Sequence, residues 1–278
     1  MSDPNIDAFL INIAAGVVLS ALIAALKGLY GRLTHRNPAY RKQAIVIVGI
    51  FWICLNTAFA YFFRSGTTVV ALLISSAAMA WIVYAELNQF WRIGLVGADS
   101  EIRTGIDFQK SLAMVSNSLD FLGIGAAKLT SEGSAFEAAI SRCQRPERPV
   151  RFLLCRPDHV ELEKMAQSAD QERESYKKRV TGSLLKIAEL KNGRAWSVQV
   201  RFYDTLPIFR LMFVDDSVCL ASHYVLGKGF DTKLPQLHVV KRRGSRDIDS
   251  LYYAFNAYFE RFWEAAEEWD FKRYLVEQ

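Results

Sequence analysis

At 278 residues, with 51% apolar side chains and a formal charge of +5, the chain is too apolar to be disordered and long enough for one or two domains. A pI near 9 would ordinarily invite a nucleic-acid reading, which needs clustered cations. Here residues 1–96 hold seven basic against three acidic residues, a surplus of four out of the total of five, which leaves +1 for residues 97–278. Four cysteines, Cys54, Cys143, Cys155 and Cys219, show no CxxC spacing; they imply neither a disulfide framework nor a zinc site, and fit free thiols in a reducing compartment.

Residues 8–26 are apolar apart from Asn12 and Ser20, and residues 44–63 and 67–85 carry no charge. At a helical rise of 1.5 Å per residue, a run of this length reaches across about 30 Å, one bilayer core. The pattern predicts three transmembrane helices (8–26, 44–63 and 67–85), the last two forming an antiparallel hairpin about Arg64, Ser65 and Gly66. A signal peptide does not fit the first run, because Asp3 and Asp7 precede it where a basic segment would stand. The loop between the first two runs carries Lys27, Arg32, Arg36, Arg41 and Lys42. Basic loops stay on the cytoplasmic side, so the amino terminus is expected outside and residues 97–278 inside, a multi-pass topology in the inner (plasma) membrane. Phe90, Trp91 and Arg92 read as a headgroup-level anchor. Within the runs, Asn56, Thr57, Ser75 and Ser76 either bind partner helices or satisfy their own backbone. With no ionisable residue at mid-span, an ion carrier is not expected.

From Gly97 onward helices and strands alternate. An amphipathic helix is predicted over 106–116, a short buried strand over 119–125, and a helix over 134–143 opened by the capping box SAFE. A strand over 150–155 follows, then a helix begun at Asp158. Residues 170–179 are so charged that they read as exposed helix or connector, and 184–190 as helix stopped by Asn192 and Gly193. Strands are predicted over 198–203, 209–214, 218–223 and 237–241, with Asp215, Asp216 and Ser217 turning a hairpin. An aromatic helix over 248–269 closes the chain. The order describes an α/β fold, a mixed sheet flanked by helices, on a domain of residues 97–278 that follows a membrane region of residues 1–92.

The segments LDFLGIGAAKL, VRFLLCRP, VQVRFY and RLMFVDDSVCLASHY together resemble one half of a phospholipase D-like domain. That family's signature is H-x-K-x4-D followed by a Gly-Ser pair. With its Asp on Asp215, the Lys position falls on Arg210, the His position on Ile208, and the Gly-Ser place near Ala221 and Ser222. The resemblance implies a phosphate site at Arg210 and Ser222. Because Ile208 cannot form a covalent phosphohistidine, it implies no family phosphodiesterase chemistry.

Other cations add to the candidate site. His223 and Lys228, with the glycines of GKGF, are placed to share an anion, or else form a strand end and a plain turn. His238 reads as a core or edge histidine. Lys128, in GIGAAK, follows a strand where exposed amides cradle phosphate or merely permit tight packing. Arg151 and Arg201 are anion ligands or exposed edge charges. The candidate ligand-binding residues are therefore Arg210, Ser222, His223, Lys228, Lys128 and Arg201; no cofactor or metal is implied. The leading expectation is a membrane-anchored receptor-effector whose domain binds a phosphate-bearing ligand, such as a nucleotide second messenger. It is expected to work as a homo-oligomer on the lipid bilayer, without nucleic acid as a partner. The alternatives are a tethered protein-interaction scaffold, or a membrane-bound phosphodiesterase or nuclease using His223 or His238.

Overall fold

The computed structural model describes residues 41–62, 66–131, 135–145, 147–168, 170–194, 196–224, 234–242 and 250–271. The chain divides into two compact units, Met1–Phe90 and Trp91–Gln278.

In the first unit, α1 (Arg41–Phe62) and the start of α2 (Gly66–Arg92) form an antiparallel helical pair. Gly49 permits the approach, because a Cβ there would stand 2.3 Å from a Val83 methyl. The polar residues divide between the two expected roles. Thr57 Oγ1 donates to its own helix at the Ile53 carbonyl. Asn56 instead reaches across, its Nδ2 donating to Ser75 Oγ at 3.3 Å and Ser76 Oγ at 3.1 Å, while Trp52 Nε1 donates to Ser75 Oγ at 2.8 Å.

The membrane expectation is corrected by this unit. Among the described residues no helix is long and apolar enough to cross a membrane. In α2 the sequence turns polar at Glu86, Asn88 and Gln89. The three-helix transmembrane anchor, the multi-pass inner-membrane localisation and the lipid bilayer as a partner are not supported. The first expected span, 8–26, lies outside the described residues, as does the basic loop up to residue 40.

The second unit is a mixed α/β domain around one eight-stranded sheet, with strands β1 (Leu95–Asp99), β2 (Leu119–Leu122), β3 (Val150–Cys155), β4 (Val198–Tyr203), β5 (Phe209–Val214), β6 (Val218–His223), β7 (Gln236–Val240) and β8 (Glu267–Glu268). Their order is β1-β7-β6-β5-β2-β3-β4-β8. Only β2-β3-β4 run parallel; every other neighbouring pair is antiparallel. Strands buried on both faces are largely apolar, and LDFL and VRFLLC at the centre are so apart from one charged residue each, Asp120 and Arg151. Helices α3 (Phe108–Met114), α4 (Phe136–Arg142), α5 (Val160–Ser168), α6 (Ser175–Arg194) and α7 (Leu251–Ala265) complete the unit.

Local chemistry fixes the element ends. Asp107 caps α3 by accepting from the Lys110 amide. Gly94, at φ 85°, turns the chain from α2 into β1, where a Cβ would meet the Val240 carbonyl at 2.6 Å. The β5–β6 hairpin turns through Asp215 and Asp216, both left-handed at φ 52° and 55°, a conformation that Asp tolerates better than most side chains. Helix α7 begins at its cap Ser250 and buries Tyr252, Phe255, Phe259 and Trp263 along one stripe, edge-on to Phe213 and Phe209 of β5. Helix α4 starts at Phe136 with Ala135 at its cap and no side-chain cap bond, and Ser134 of the expected capping box lies outside the described residues.

Candidate functional site

Where β2 ends, residues 123–131 form a loop that must pass between α6 and the β5–β6 hairpin. Gly125 makes the passage: a Cβ there would stand 3.2 Å from a Val180 methyl of α6. Three bonds then fix the loop. The Ile124 amide donates to Tyr224 Oη at 3.0 Å, Tyr203 Oη donates to the Gly123 carbonyl at 3.0 Å, and the Ala126 amide donates to the buried Ser183 Oγ at 3.1 Å. Ser183 Oγ in turn donates to the Arg179 carbonyl, tying the first turns of α6 to the loop.

The result is a cleft of about 390 Å³ at the carboxyl end of β2, beside the point where the parallel and antiparallel halves of the sheet meet. Clefts beyond the carboxyl ends of strands are where open α/β sheets take ligands. Its lining contains Lys128 from the loop, Arg179 from α6 and Arg210 from β5; the aromatics Phe108, Phe121, Tyr176 and Tyr224; and, among the described residues, no carboxylate.

Arg210 is the best-defined of the three cations. It is 6% exposed, its Nη2 donates to Ser222 Oγ at 2.7 Å on the paired strand, and its guanidinium lies 5.0 Å from the Phe108 ring centroid. A buried guanidinium held by a hydroxyl and an aromatic ring keeps a fixed direction, which suits directional anion binding. Arg179 is exposed at the mouth, its guanidinium 5.1 Å from the Tyr176 centroid and its Nη2 donating to Gln171 Oε1 at 3.0 Å. Lys128 is also exposed.

The cleft therefore brings together Arg210, its partner Ser222 and Lys128. It does not bring in Arg201, which donates to the Trp263 carbonyl at 2.7 Å and packs 4.7 Å over the Trp263 ring. His223 is exposed at the end of β6 and is not in the lining. Lys228 lies outside the described residues. His238 also stands apart, its Nε2 2.7 Å from Asp99 Oδ2 at the β1–β7 edge. Burial, the largest influence on Asp99, would raise its pKa; the Ile106 amide, His238 and Lys110 outweigh it and hold the carboxyl below its usual range. The sequence reading missed Phe108, Gln171, Tyr176, Arg179 and Tyr224. A weak signal existed for Tyr176: it stands four residues before Val180, just past the charged stretch, the mark of a helix burying one face.

Arg151 is a structural cation. Its guanidinium binds Asp120 through Nε at 2.9 Å and Nη2 at 2.7 Å, and Glu260 through Nη1 at 2.9 Å and Nη2 at 2.8 Å. Arg148 beside it forms a two-pronged pair with Asp216. The bond to Arg148 is the first cause that lowers the Asp216 carboxyl below its usual range.

The expected phospholipase D-like signature does not assemble. Ile208, at the His position, is 64% exposed, and its amide donates to Tyr258 Oη. Asp215 serves the turn, accepting from the Ser116, Asn117 and Ser118 amides. It lies at the other end of β5 from Arg210, roughly 16 Å away at strand rise, so the two cannot share a ligand. No protein family matches the chain, which corrects that resemblance and the keywords drawn from it, and no curated protein matches either. Among solved structures the chain is similar to TrmBL2, an archaeal chromatin protein whose structure is described as showing a novel mode of DNA binding. The TM-score is 0.39 at 14% identity, over 72% of this chain and 64% of that one. A likeness of that degree carries no argument about this chain's ligand. The expectation that nucleic acid is not a partner finds no support in these comparisons.

Proposed function

We propose that the α/β unit is a receptor-type binding domain for a phosphate-bearing small molecule, taken up in the cleft at the end of β2. The observation that carries this reading is the meeting of Arg210, Arg179 and Lys128, from three separate elements, in one cleft with aromatic walls. Cations converging on one cleft attract an anion, and guanidinium groups suit phosphate oxygens through directional hydrogen bonds. The volume of about 390 Å³ falls within the range of small-molecule sites, and the aromatic walls suit an organic body attached to the anion. Neither His223 nor His238 lines the cleft, so the phosphodiesterase alternative gains no nucleophile from it.

Calorimetric titration of the full chain with inorganic phosphate, sugar phosphates, nucleotides and a short DNA duplex tests the reading. Binding by a small phosphate-bearing compound, lost in Arg210→Ala and retained in His223→Ala, is the expected result. No binding by any small compound overturns it, and so does binding confined to the duplex.

A further inference from the structure

A second cleft, of about 430 Å³, lies at the carboxyl end of β4, between residues 203–205 and the carboxyl-terminal half of α7, and shares no lining residue with the first. Helix α7 carries two stripes. Tyr252, Phe255, Phe259 and Trp263 are buried, whereas Tyr258, Arg261, Phe262 and Ala265 recur at helical spacing along a neighbouring face and line the cleft. The Tyr258 and Phe262 ring centroids stand 4.8 Å apart, and Tyr203 meets Phe262 edge-on at 6.1 Å. Both tyrosines are held by bonds of their own, Tyr203 Oη donating to the Gly123 carbonyl and Tyr258 Oη accepting from the Ile208 amide. The apolar wall is therefore formed before any ligand arrives. The lining also holds charges of both signs. Among the described residues Arg261 has no ion pair or hydrogen bond. Asp204 has only a share in one: its Oδ1 lies 3.4 Å from Arg156 Nη2, on a guanidinium that Glu267 at 2.5 Å and Asp158 at 4.0 Å also approach. Three carboxylates around one cation leave negative charge in surplus beside Asp204.

We infer that this second cleft binds a free α-amino acid with a large apolar side chain, its carboxylate on Arg261, its ammonium group on Asp204 and its side chain against Tyr258 and Phe262. A guanidinium takes a carboxylate through two parallel hydrogen bonds. An ammonium group beside an aromatic ring gains from the ring face as well as from the carboxylate opposite. A compound with one charge answers one of the two lining groups and leaves the other to water. An apolar side chain removes the exposed part of the ring pair from water, which a bare glycine does not. Both charged groups are exposed, so the affinity falls with salt. The inference does not rest on the anion reading of the first cleft.

The test is a calorimetric titration of the full chain at low salt with L-phenylalanine and L-leucine, set against 3-phenylpropanoate, which lacks the ammonium group, phenethylamine, which lacks the carboxylate, and glycine, which lacks the side chain. The two apolar amino acids are expected to bind, and each of the three truncated compounds at least about tenfold more weakly. Arg261→Met should bring L-phenylalanine down to the level of phenethylamine, and Asp204→Asn to that of 3-phenylpropanoate. Both positions are exposed, so thermal melting of these variants should match the parent. Ala265→Leu, which fills the cleft and leaves its charges in place, should abolish binding. The double variant Lys128→Ala/Arg179→Ala alters the first cleft alone and should keep L-phenylalanine affinity within about twofold. Silence from both amino acids, a singly charged compound binding as well as L-phenylalanine, or an affinity indifferent to either Arg261→Met or Asp204→Asn overturns the inference and leaves the phosphate reading of the first cleft untouched. L-phenylalanine binding that is lost in the double variant assigns the compound to the first cleft and overturns the inference as well.

Discussion

The two ends of the parallel strands both carry arginine, and they use it in opposite ways. At the amino end, Arg148 and Arg151 are matched by Asp120, Asp216 and Glu260, and the cations serve to join β2, β3, the hairpin turn and α7. At the carboxyl end, Arg210, Arg179 and Lys128 line a cleft that holds no carboxylate among its described residues. Burial does not separate the two cases, because Asp120 at one end and Arg210 at the other are both nearly inaccessible. What separates them is what the described contacts do: at the amino end carboxylates clasp the cations and join four elements, whereas at the carboxyl end a hydroxyl and aromatic rings hold Arg210 and Arg179 along the wall of a cleft.

The sharpest way to break this contrast is Asp120→Ala. The variant leaves Arg151 partly buried with one carboxylate of two, and it should lower stability by about 3–5 kcal/mol in urea unfolding. A loss below about 1 kcal/mol would mean that the paired end is ornamental. Next comes Arg210→Ala, which should weaken a phosphate-bearing ligand about 10- to 100-fold in calorimetry, the usual weight of a hydrogen bond to a charged group. Ser222→Ala removes the hydroxyl that fixes the guanidinium and should cost about three- to tenfold in the same titration, with ligand enthalpy reduced more than stability.

Acid titration sharpens the other side of the comparison. The Asp216 carboxyl is held below its ordinary value of 3.8, chiefly by the bond from Arg148. A carboxyl whose folded pKa is depressed contributes stability that is fully present above its unfolded value. That contribution is lost as pH falls through the lower folded value. Urea midpoints measured downward from pH 4 should therefore fall, and Arg148→Met should flatten that fall; an unchanged slope would show that the pair contributes nothing. The effect should be modest, because Asp216 is 44% exposed and screened by water. The smallest expected effect is that of Arg201→Ala on ligand affinity, within about twofold, since Arg201 is engaged with Trp263 outside the cleft. A large loss of affinity in that variant would move the binding site toward α7.

The strands of the sheet's interior were legible in the sequence. VRFLLC, VQVRFY, FRLMFV and VCLASH become β3, β4, β5 and β6 at the predicted residues, because a run of β-branched and aromatic residues closed by turn formers is a local signal. Asp215 and Asp216 likewise announced their turn. The edge strands β1 and β8 were missed: LVGAD and EE carry no pattern of their own, and their pairing is decided by β7 and β4. Helix ends were left open where the deciding partner was remote, as for α6, which begins at Ser175 inside the stretch read as exposed helix or connector. The described residues of the apolar runs 44–63 and 67–85 are helical, but hydropathy read over a whole run promised a span that the described helices do not provide.

For the candidate site, the sequence by itself determined the identity and charge of Arg210, Ser222 and Lys128, since a cation between apolar neighbours on a strand stands out in one dimension. It also determined that Ile208 could not act as an imidazole. Only the tertiary structure decided that Arg201 and Arg151 serve the core and that Arg179, Tyr176 and Tyr224 serve the cleft. The physical reason is distance along the chain: Tyr224 meets Ile124 across 100 residues and Arg151 meets Glu260 across 109. Periodicity and turn chemistry act within a few residues, whereas a counter-charge is chosen by whichever strand or helix the fold lays alongside.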